Sequence, residues 1–359
     1  MRQVRLLEGL YDLTVAGFGA SPATAARYIL LEKPPTSIGR KGLWVLLLLS
    51  GAFESYYWDL PQVKSALEAL RDAQYDLIIA NDLSALPVAL QLAGRTPVLF
   101  DAHEYSPREY EDQLVWRLLF QRYNQSMCAR YLPRVASMTT VCQGIANAYA
   151  AEYGVQPRVV HNAPLDQHLV PSLVDNSRIR LIHHGIASHV RRLELMIDMV
   201  LLLEDRFTMD FMLVEAEPKY LASLVARAKG DPRINFLAPV PMSDICKTIN
   251  AYDVGVFLLR PDNFNYQHAL PNKFFEFVQA RLAVAIGPSP EMKSLVERYR
   301  CGVVAESFEP QALARILNAL TVEDIYRMKS ASNLAAAELS YEHDGKQLLD
   351  AIDSLISSQ

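Results

Sequence analysis

HALPNKFFEFVQARLAVAIGP, residues 268–288, is the stretch whose reading decides the fold. A polar loop ends at Pro271, and a helix opens at Asn272 and Lys273 with an amphipathic face on Phe274, Phe275 and Val278. A continuous apolar run over 282–286 follows, closed by Gly287 and Pro288, which is the pattern of a buried strand. A helix N-terminus presents unpaired N–H groups and the positive end of the peptide dipole, so it favours a phosphate, and Lys273 adds a full charge there. Glu276 lies one turn further in, where a carboxylate can accept bonds from vicinal hydroxyls such as those of a ribose. An ordinary helix with a solvated lysine and glutamate fits this stretch, taken alone, equally well.

Working outward, 359 residues exceed what one ordinary core accommodates, so two domains are expected. An apolar fraction of 51% with 21% charged residues is that of a globular protein with ample core. The net charge of −5 argues against a general nucleic-acid binder. Cys128, Cys142, Cys246 and Cys301 are scattered with no CxxC pair. That gives no zinc spacing and fits a reducing compartment, with the thiols in the core or at the surface. The longest apolar run, residues 43–49, is too short to span a bilayer, and no signal peptide is read, so the expected location is cytoplasmic.

Strands and helices alternate along the chain. A helical stretch over 2–10 precedes a strand over 12–16 that runs into Gly17-Phe18-Gly19. After a loop rich in Pro and Ser, helices are expected over 43–58 and 63–71, a strand over 75–80 and a helix over 85–93. The strand 97–100 delivers Asp101, Ala102, His103 and Glu104 at its carboxyl end, where doubly wound sheets hold ligands. A long helical stretch over 108–132 leads to a strand over 137–141, a helix through Tyr153 and a strand over 158–161. Asn162, Ala163 and Pro164 break the pattern and mark a domain boundary. A second alternating set starts at Ile179: strand to His184, helix 191–203, strand 209–214, helix 219–229, strand 234–237, helix 243–251 and strand 254–259. The expectation is an α/β protein of two Rossmann-like domains, 1–165 and 178–335, facing a central cleft, with a helix in 340–359 packing back on the first.

In this order and spacing, FDAHEY at 100–105, TTVCQGIA at 139–146, VVHNAP at 159–164, HHGIASHVRRLE at 183–194, INFLAPV at 234–240, AYDVGVFLL at 251–259 and LPNKFFEF at 270–277 resemble the large family-four group of retaining GT-B glycosyltransferases, the glycosyl transferases of group 1. The resemblance covers nearly the whole chain. It implies a GT-B fold whose C-terminal domain holds a nucleotide sugar and whose N-terminal domain holds the acceptor. It implies a hexosyltransferase-type enzyme with no cofactor beyond the nucleoside diphosphate sugar donor.

Residue by residue, the resemblance places the donor diphosphate among Gly185, Arg191 and Lys273. Gly185 matches a turn that lets backbone approach phosphate, and Arg191 matches the basic residue at the start of the next helix; Arg192 is the alternative. Cations fixed there stabilise charge that builds on the leaving group. No DxD motif occurs, so no metal is expected. Glu276 matches the ribose-holding carboxylate of the family's glutamate pair, whose other member falls at His268, seven residues intervening. A neutral imidazole does only part of a carboxylate's work. Pro271 and Asn272 complete the expected donor-binding set. Arg281, Ala283 and Glu215 also depart from the family pattern and suggest a divergent branch. His103 matches the family's histidine that faces the transferred sugar, for positioning and charge stabilisation; the competing reading is a satisfied core histidine.

The implied reaction is metal-independent transfer, with retention, to a glycan or lipid-linked acceptor in bacterial-type surface polysaccharide or glycolipid synthesis. Alternatives of the same architecture are a nucleotide-sugar 2-epimerase and a non-catalytic partner subunit. Arg108, Arg117, Arg122, Arg130 and Arg134 recur beside Trp116, Phe120 and Tyr123, and Arg40 and Lys41 precede Trp44. That pattern suits peripheral contact with anionic lipid on the inner face of the cell membrane, or core aromatics under a solvated basic face. In the family a strand normally comes before a segment like MRQVRLLEGLYDLTVAGFG. Its loss would leave neighbouring strand edges unpaired and a buried surface open, so the natural reading frame is expected to begin upstream.

Overall fold

The computed structural model describes residues 2–21, 24, 26–228 and 230–357. Met1, the last residue of the expected helix 219–229 and the last two of 340–359 lie outside them. The chain divides into two compact units. Unit 1 runs to Val160 and includes Asn263–Asn265 and the C-terminal stretch from Gly345; unit 2 comprises His161–Asp262 and Tyr266–Asp344.

In unit 1, β1 (Thr14–Gly17) and β2 (Arg27–Leu30) pair in parallel as a sheet of their own. β3 (Ile78–Asn81), β4 (Val98–Ala102), β5 (Ser137–Thr140) and β6 (Arg158–Val159) form a parallel sheet in sequence order. β2 falls in the segment read as a loop, where Arg-Tyr-Ile-Leu is too short a run to announce itself. The helix expected over 43–58 is two helices, Ile38–Ser50 and Phe53–Asp59. Gly51 takes φ 79° between them and its N–H closes the first helix on Leu47 O and Leu48 O, a left-handed cap that only glycine adopts without strain. The stretch 108–132 is likewise interrupted: a 3₁₀ turn at Ser106–Arg108, then helix from Leu114 through a π-turn at Arg117–Gln121 to Tyr131. Leu99 of β4 is buried with Leu7, Leu348, Ala351 and Ile352, so the helices Arg2–Leu7 and Tyr341–Ser357 share one core. Among the described residues no ladder joins β1 to β3, and residues of both strands line a cavity of about 880 Å³ floored by Leu7, Val63 and Val88.

Unit 2 is one continuous sheet. β7 (Ile179–Ala187), β8 (Phe207–Glu215), β9 (Ile234–Leu237), β10 (Val254–Phe257), β11 (Ala283–Ile286) and β12 (Gly302–Val304) are all parallel, in the order β12-β11-β10-β7-β8-β9. The order reverses between β7 and β10, and a crevice at the carboxyl ends of those two strands is where such sheets bind ligands. β10 and β11 are buried along their whole length, as strands covered on both faces must be. The helix Asn272–Gln279 departs from the amphipathic expectation, because every residue from Phe274 to Gln279 is buried. Its Phe277 ring occupies the space a side chain at Gly255 of β10 would fill, since a Cβ there would meet ring atoms at 2.3 Å. Gln279 is satisfied by donating from Nε2 to Ala336 O (2.7 Å) and Leu339 O (3.0 Å). Cys128, Cys142, Cys246 and Cys301 are buried and not in disulfides.

Candidate active site

The docking of Phe277 against Gly255 fixes the helix Asn272–Gln279 beneath the carboxyl ends of β7 and β10. It carries Lys273 into the reversal point. The Lys273 ammonium lies 4.6 Å from the centre of the Phe257 ring at the end of β10, and a Cβ at Gly185 would come within 2.9 Å of its Nζ. Gly185 is not in a turn, contrary to the sequence reading. It is a ladder residue of β7 paired with Leu213, with φ 137°, and the strand runs on to Ala187. Its missing side chain makes room for the lysine, and its φ adds a second reason for glycine.

Desolvation first, and then the positive charge of Arg191, pull the Lys273 pKa down to about 7, against the opposing pull of Glu276. A cation held in such a place is short of negative charge. Arg191 belongs to a 3₁₀ turn, His189–Arg191, rather than to the helix, which starts only at Glu194. Its guanidinium sits 5.5 Å from the centre of the Tyr266 ring. Arg192 takes the left-handed conformation, φ 48°, and pairs with Asp262 at 3.0 Å. The two arginines are thus separated in role by geometry: one lies in the field of Lys273, the other is matched to a carboxylate.

Glu276 is 6% exposed, one helical turn from Lys273. Its Oε2 is 3.5 Å from His184 Nε2. His183 and His184, both buried at the carboxyl half of β7, were missed by sequence reasoning; two polar residues in a strand that is otherwise apolar after Arg180 were the available signal. His183 Nδ1 meets Val256 O at 2.9 Å, and since a carbonyl only accepts, Nδ1 carries the proton. Burial, then Lys273, push the His183 pKa well below the usual imidazole range and that of His184 down to about 3, so both rings are neutral. The Nε2 atoms of both are buried without a hydrogen-bond partner.

His268, in the loop before the helix, is not alone at the position where the family has a carboxylate. Glu291, in the first turn of the helix Pro290–Tyr299, brings Oε1 to 3.0 Å from His268 Nδ1. Sequence reading missed Glu291, whose only signal is its place just beyond the buried strand β11. Pro271 and Asn272 flank the helix start, Pro271 in extended conformation with no side-chain cap.

On unit 1, His103 follows β4 at its carboxyl end. Its N–H and its Nδ1 each lie 3.1 Å from Asp82 Oδ1, at the end of β3, and its Nε2 is 3.7 Å from Asp101 Oδ2. The Asp82 bond raises the His103 pKa, burial opposing it. Asp82, with φ 63°, is a further residue the sequence reading passed over.

Residues 6–163 match the family model described as Glycosyltransferase Family 4. Among solved structures, sucrose-phosphate synthase from Thermosynechococcus elongatus is similar with TM-score 0.71 at 15% identity, over 99% of this chain and 92% of that one. Anabaena HepE in complex with UDP and glucose gives TM-score 0.67 at 18% identity, over 92% and 86%. S. aureus TarM, in a complex that includes UDP, gives 0.64 at 10% identity over 81% of this chain, which spans 59% of TarM. At these identities the likeness is one of fold. No curated protein matches the chain.

Proposed function

On the premise that this chain belongs to the glycosyltransferases of the family-four type and has their GT-B fold, we propose that unit 2 binds a nucleoside diphosphate sugar and that the protein transfers the sugar with retention and without a metal. The observation that carries this reading is the partly buried Lys273 at the reversal point of the sheet, its ammonium desolvated beside a glycine and an arginine and short of negative charge. A diphosphate supplies that compensation. Lys273 and Arg191 hold the leaving group, and their effect grows as charge accumulates on it. Glu276 accepts from the ribose hydroxyls. His268, Pro271 and Asn272 line the sugar side, with Arg192 in support through its Asp262 pair. On unit 1, His103 is assigned to sugar positioning and charge stabilisation, with its ring held by Asp82. No side-chain nucleophile is required, because the departing phosphate takes the acceptor proton on the same face of the sugar.

The acceptor is assigned to the glycan or lipid-linked class of bacterial-type surface polysaccharide synthesis, with a peripheral membrane contact through unit 1. Trp44, Phe120 and Tyr123 do not support that contact, since they pack around Tyr56. Support comes from aliphatic side chains: Ile38, Leu43, Leu46 and Leu49 on the helix Ile38–Ser50, and Leu114, Val115 and Leu118, are exposed. Neither 38–50 nor 114–131 contains an acidic residue, and Lys41, Arg117 and Arg122 are among their basic ones. Among the described residues no helix is long and apolar enough to cross a membrane.

The test is a panel of nucleoside diphosphate sugars, UDP-sugars first, followed for donor hydrolysis, transfer and epimerisation with and without EDTA. Transfer or hydrolysis that survives EDTA supports the reading. Epimerised product, a requirement for magnesium, or no nucleotide binding each overturns it in a different part.

A further inference from the structure

Of the groups around Lys273, the proposed reaction leaves His184 unused. Three observations bear on it. Its Nε2 is buried without a hydrogen-bond partner, Glu276 Oε2 lies 3.5 Å away, and its ring is fixed edge-on against Phe277 with centroids 5.4 Å apart. Phe277 is itself wedged over Gly255, so the imidazole has little freedom to turn elsewhere. A buried donor or acceptor left unmet is costly, and its persistence calls for a partner that completes it.

Resting on the assignment of Glu276 to the ribose, we propose that His184 is a positioning residue for ribonucleotide recognition: its Nε2–H orients the Glu276 carboxylate toward the vicinal hydroxyls of a ribonucleoside diphosphate. The tautomer follows from the neighbour, because a carboxylate only accepts and the proton must sit on Nε2 for the pair to attract. A neutral donor suits the task better than a cation. It directs one carboxylate oxygen while the group keeps its full negative charge, so the other oxygen remains a strong acceptor for hydroxyl hydrogens. Burial and the adjacent Lys273 are what keep this imidazole uncharged. His184 thereby selects for ribose through Glu276, as an orienting partner does for a ligand it never touches.

The test compares UDP, GDP and ADP with their 2′,3′-dideoxy analogues by calorimetry, in the wild type, His184→Phe, His184→Gln and Glu276→Gln. The wild type is expected to favour the tightest ribonucleotide over its dideoxy form by about tenfold or more, the size of one charge-assisted hydrogen bond. His184→Phe should collapse that preference as Glu276→Gln does, leaving inorganic pyrophosphate affinity unchanged, and His184→Gln, which keeps an amide donor, should restore part of it. A wild-type preference retained in His184→Phe but lost in Glu276→Gln overturns the role of His184. A wild type that binds none of the three nucleotides removes the donor-site assignment beneath it. Imidazole ¹⁵N resonances of the wild type give a measurement independent of folding in the variants. The Nε2–H tautomer at His184, with a proton shift on adding the ribonucleotide and not its dideoxy form, is the expected result; the Nδ1–H tautomer overturns the proposal.

Discussion

Lys273 in unit 2 and His103 in unit 1 both lie near the carboxyl ends of their strands, and the surroundings shift their pKa values in opposite directions. Lys273, on the helix Asn272–Gln279, sits over Phe257 at the end of β10 in a six-stranded sheet, and desolvation draws its pKa down to about 7. His103 stands at the carboxyl end of β4, an interior strand of a four-stranded sheet, and the hydrogen bond it makes to Asp82 raises its pKa. One group is left short of negative charge and the other has a carboxylate against it. A site that must take up an anion and release it gains from the first arrangement, since the ligand completes what the protein leaves incomplete. A group that must stay charged whatever is bound gains from the second. The sheets differ as well: unit 2 has six contiguous strands, whereas unit 1 has its described strands in separate sets of two and four with a cavity of about 880 Å³ at β3.

The largest effects should separate the sheets themselves. Leu181, fully buried in β7, should cost about 2 to 5 kcal/mol when changed to Ala, because it leaves a cavity that close-packed neighbours cannot fill. Leu77, half-buried, lines the cavity at β3 and is enclosed on fewer sides, and Leu77→Ala should cost about 1 kcal/mol or less. Urea denaturation with hydrogen exchange resolved by unit measures both. Equal costs would mean that the cavity is filled in solution and the contrast between the sheets is lost.

Next in size, Glu276→Ala should weaken ribonucleotide binding by about tenfold or more with the fold intact, through loss of charge-assisted bonds to hydroxyls. His103→Ala should leave nucleotide affinity within about twofold while lowering turnover, as expected of a group whose interaction is made late in the reaction. Calorimetry alongside steady-state kinetics checks the pair, and an equal loss of affinity in both variants would erase the division of labour.

Smaller again is the effect of pH on Lys273. Its folded pKa lies below the unfolded value, so between about 7 and the free lysine value near 10.4 the unfolded chain holds the proton that the native site has given up. Stability therefore rises with pH through that window. Diphosphate affinity moves the other way, because binding requires the ammonium, and should fall by up to about tenfold per pH unit above 7. Proton uptake on binding, seen as a dependence of the calorimetric enthalpy on the buffer, is the signature. Lys273→Arg, which stays charged, should abolish it.

How much of this was written in the sequence depends on whether the signal was local. The run 282–286 and the helix start at Asn272 were legible because their periodicity and punctuation lie within one segment, and Lys273 and Glu276 came with them. The end of β7 was not. Gly185 interrupts the apolar run as a turn would, and only pairing with Leu213 of β8 shows that the strand continues. Gly51 ends a helix inside a stretch of leucine and aromatic residues that promises one longer helix. At the site, Arg191 and Arg192 are indistinguishable in sequence, and the Asp262 partner that separates them lies far along the chain. His184, Glu291 and Asp82 share that property: each acquires its meaning from a residue on another element, Glu276, His268 and His103 respectively. Side chains that act through a neighbour are hidden until the fold brings the neighbour in.

The smallest effect expected is at the His103–Asp82 pair. Asp82→Asn is the informative change, because asparagine tolerates the left-handed backbone at this position, φ 63°, and keeps the oxygen that accepts from the His103 N–H while removing the charge. The His103 titration, followed by proton NMR, should move to lower pH. The stability cost should be no more than about 1 kcal/mol, since both side chains are more than one-third exposed and solvent screens the pair. The sign is fixed by the raised folded pKa. The contribution is fully present below the unfolded imidazole value near 6.5 and disappears as pH rises through the folded value, so wild type and Asp82→Asn should converge in stability in alkaline solution. A stability difference that persists there would show that Asp82 acts by holding the end of β3 rather than by charging His103, and the contrast between a compensated and an uncompensated cation would then rest on Lys273 alone.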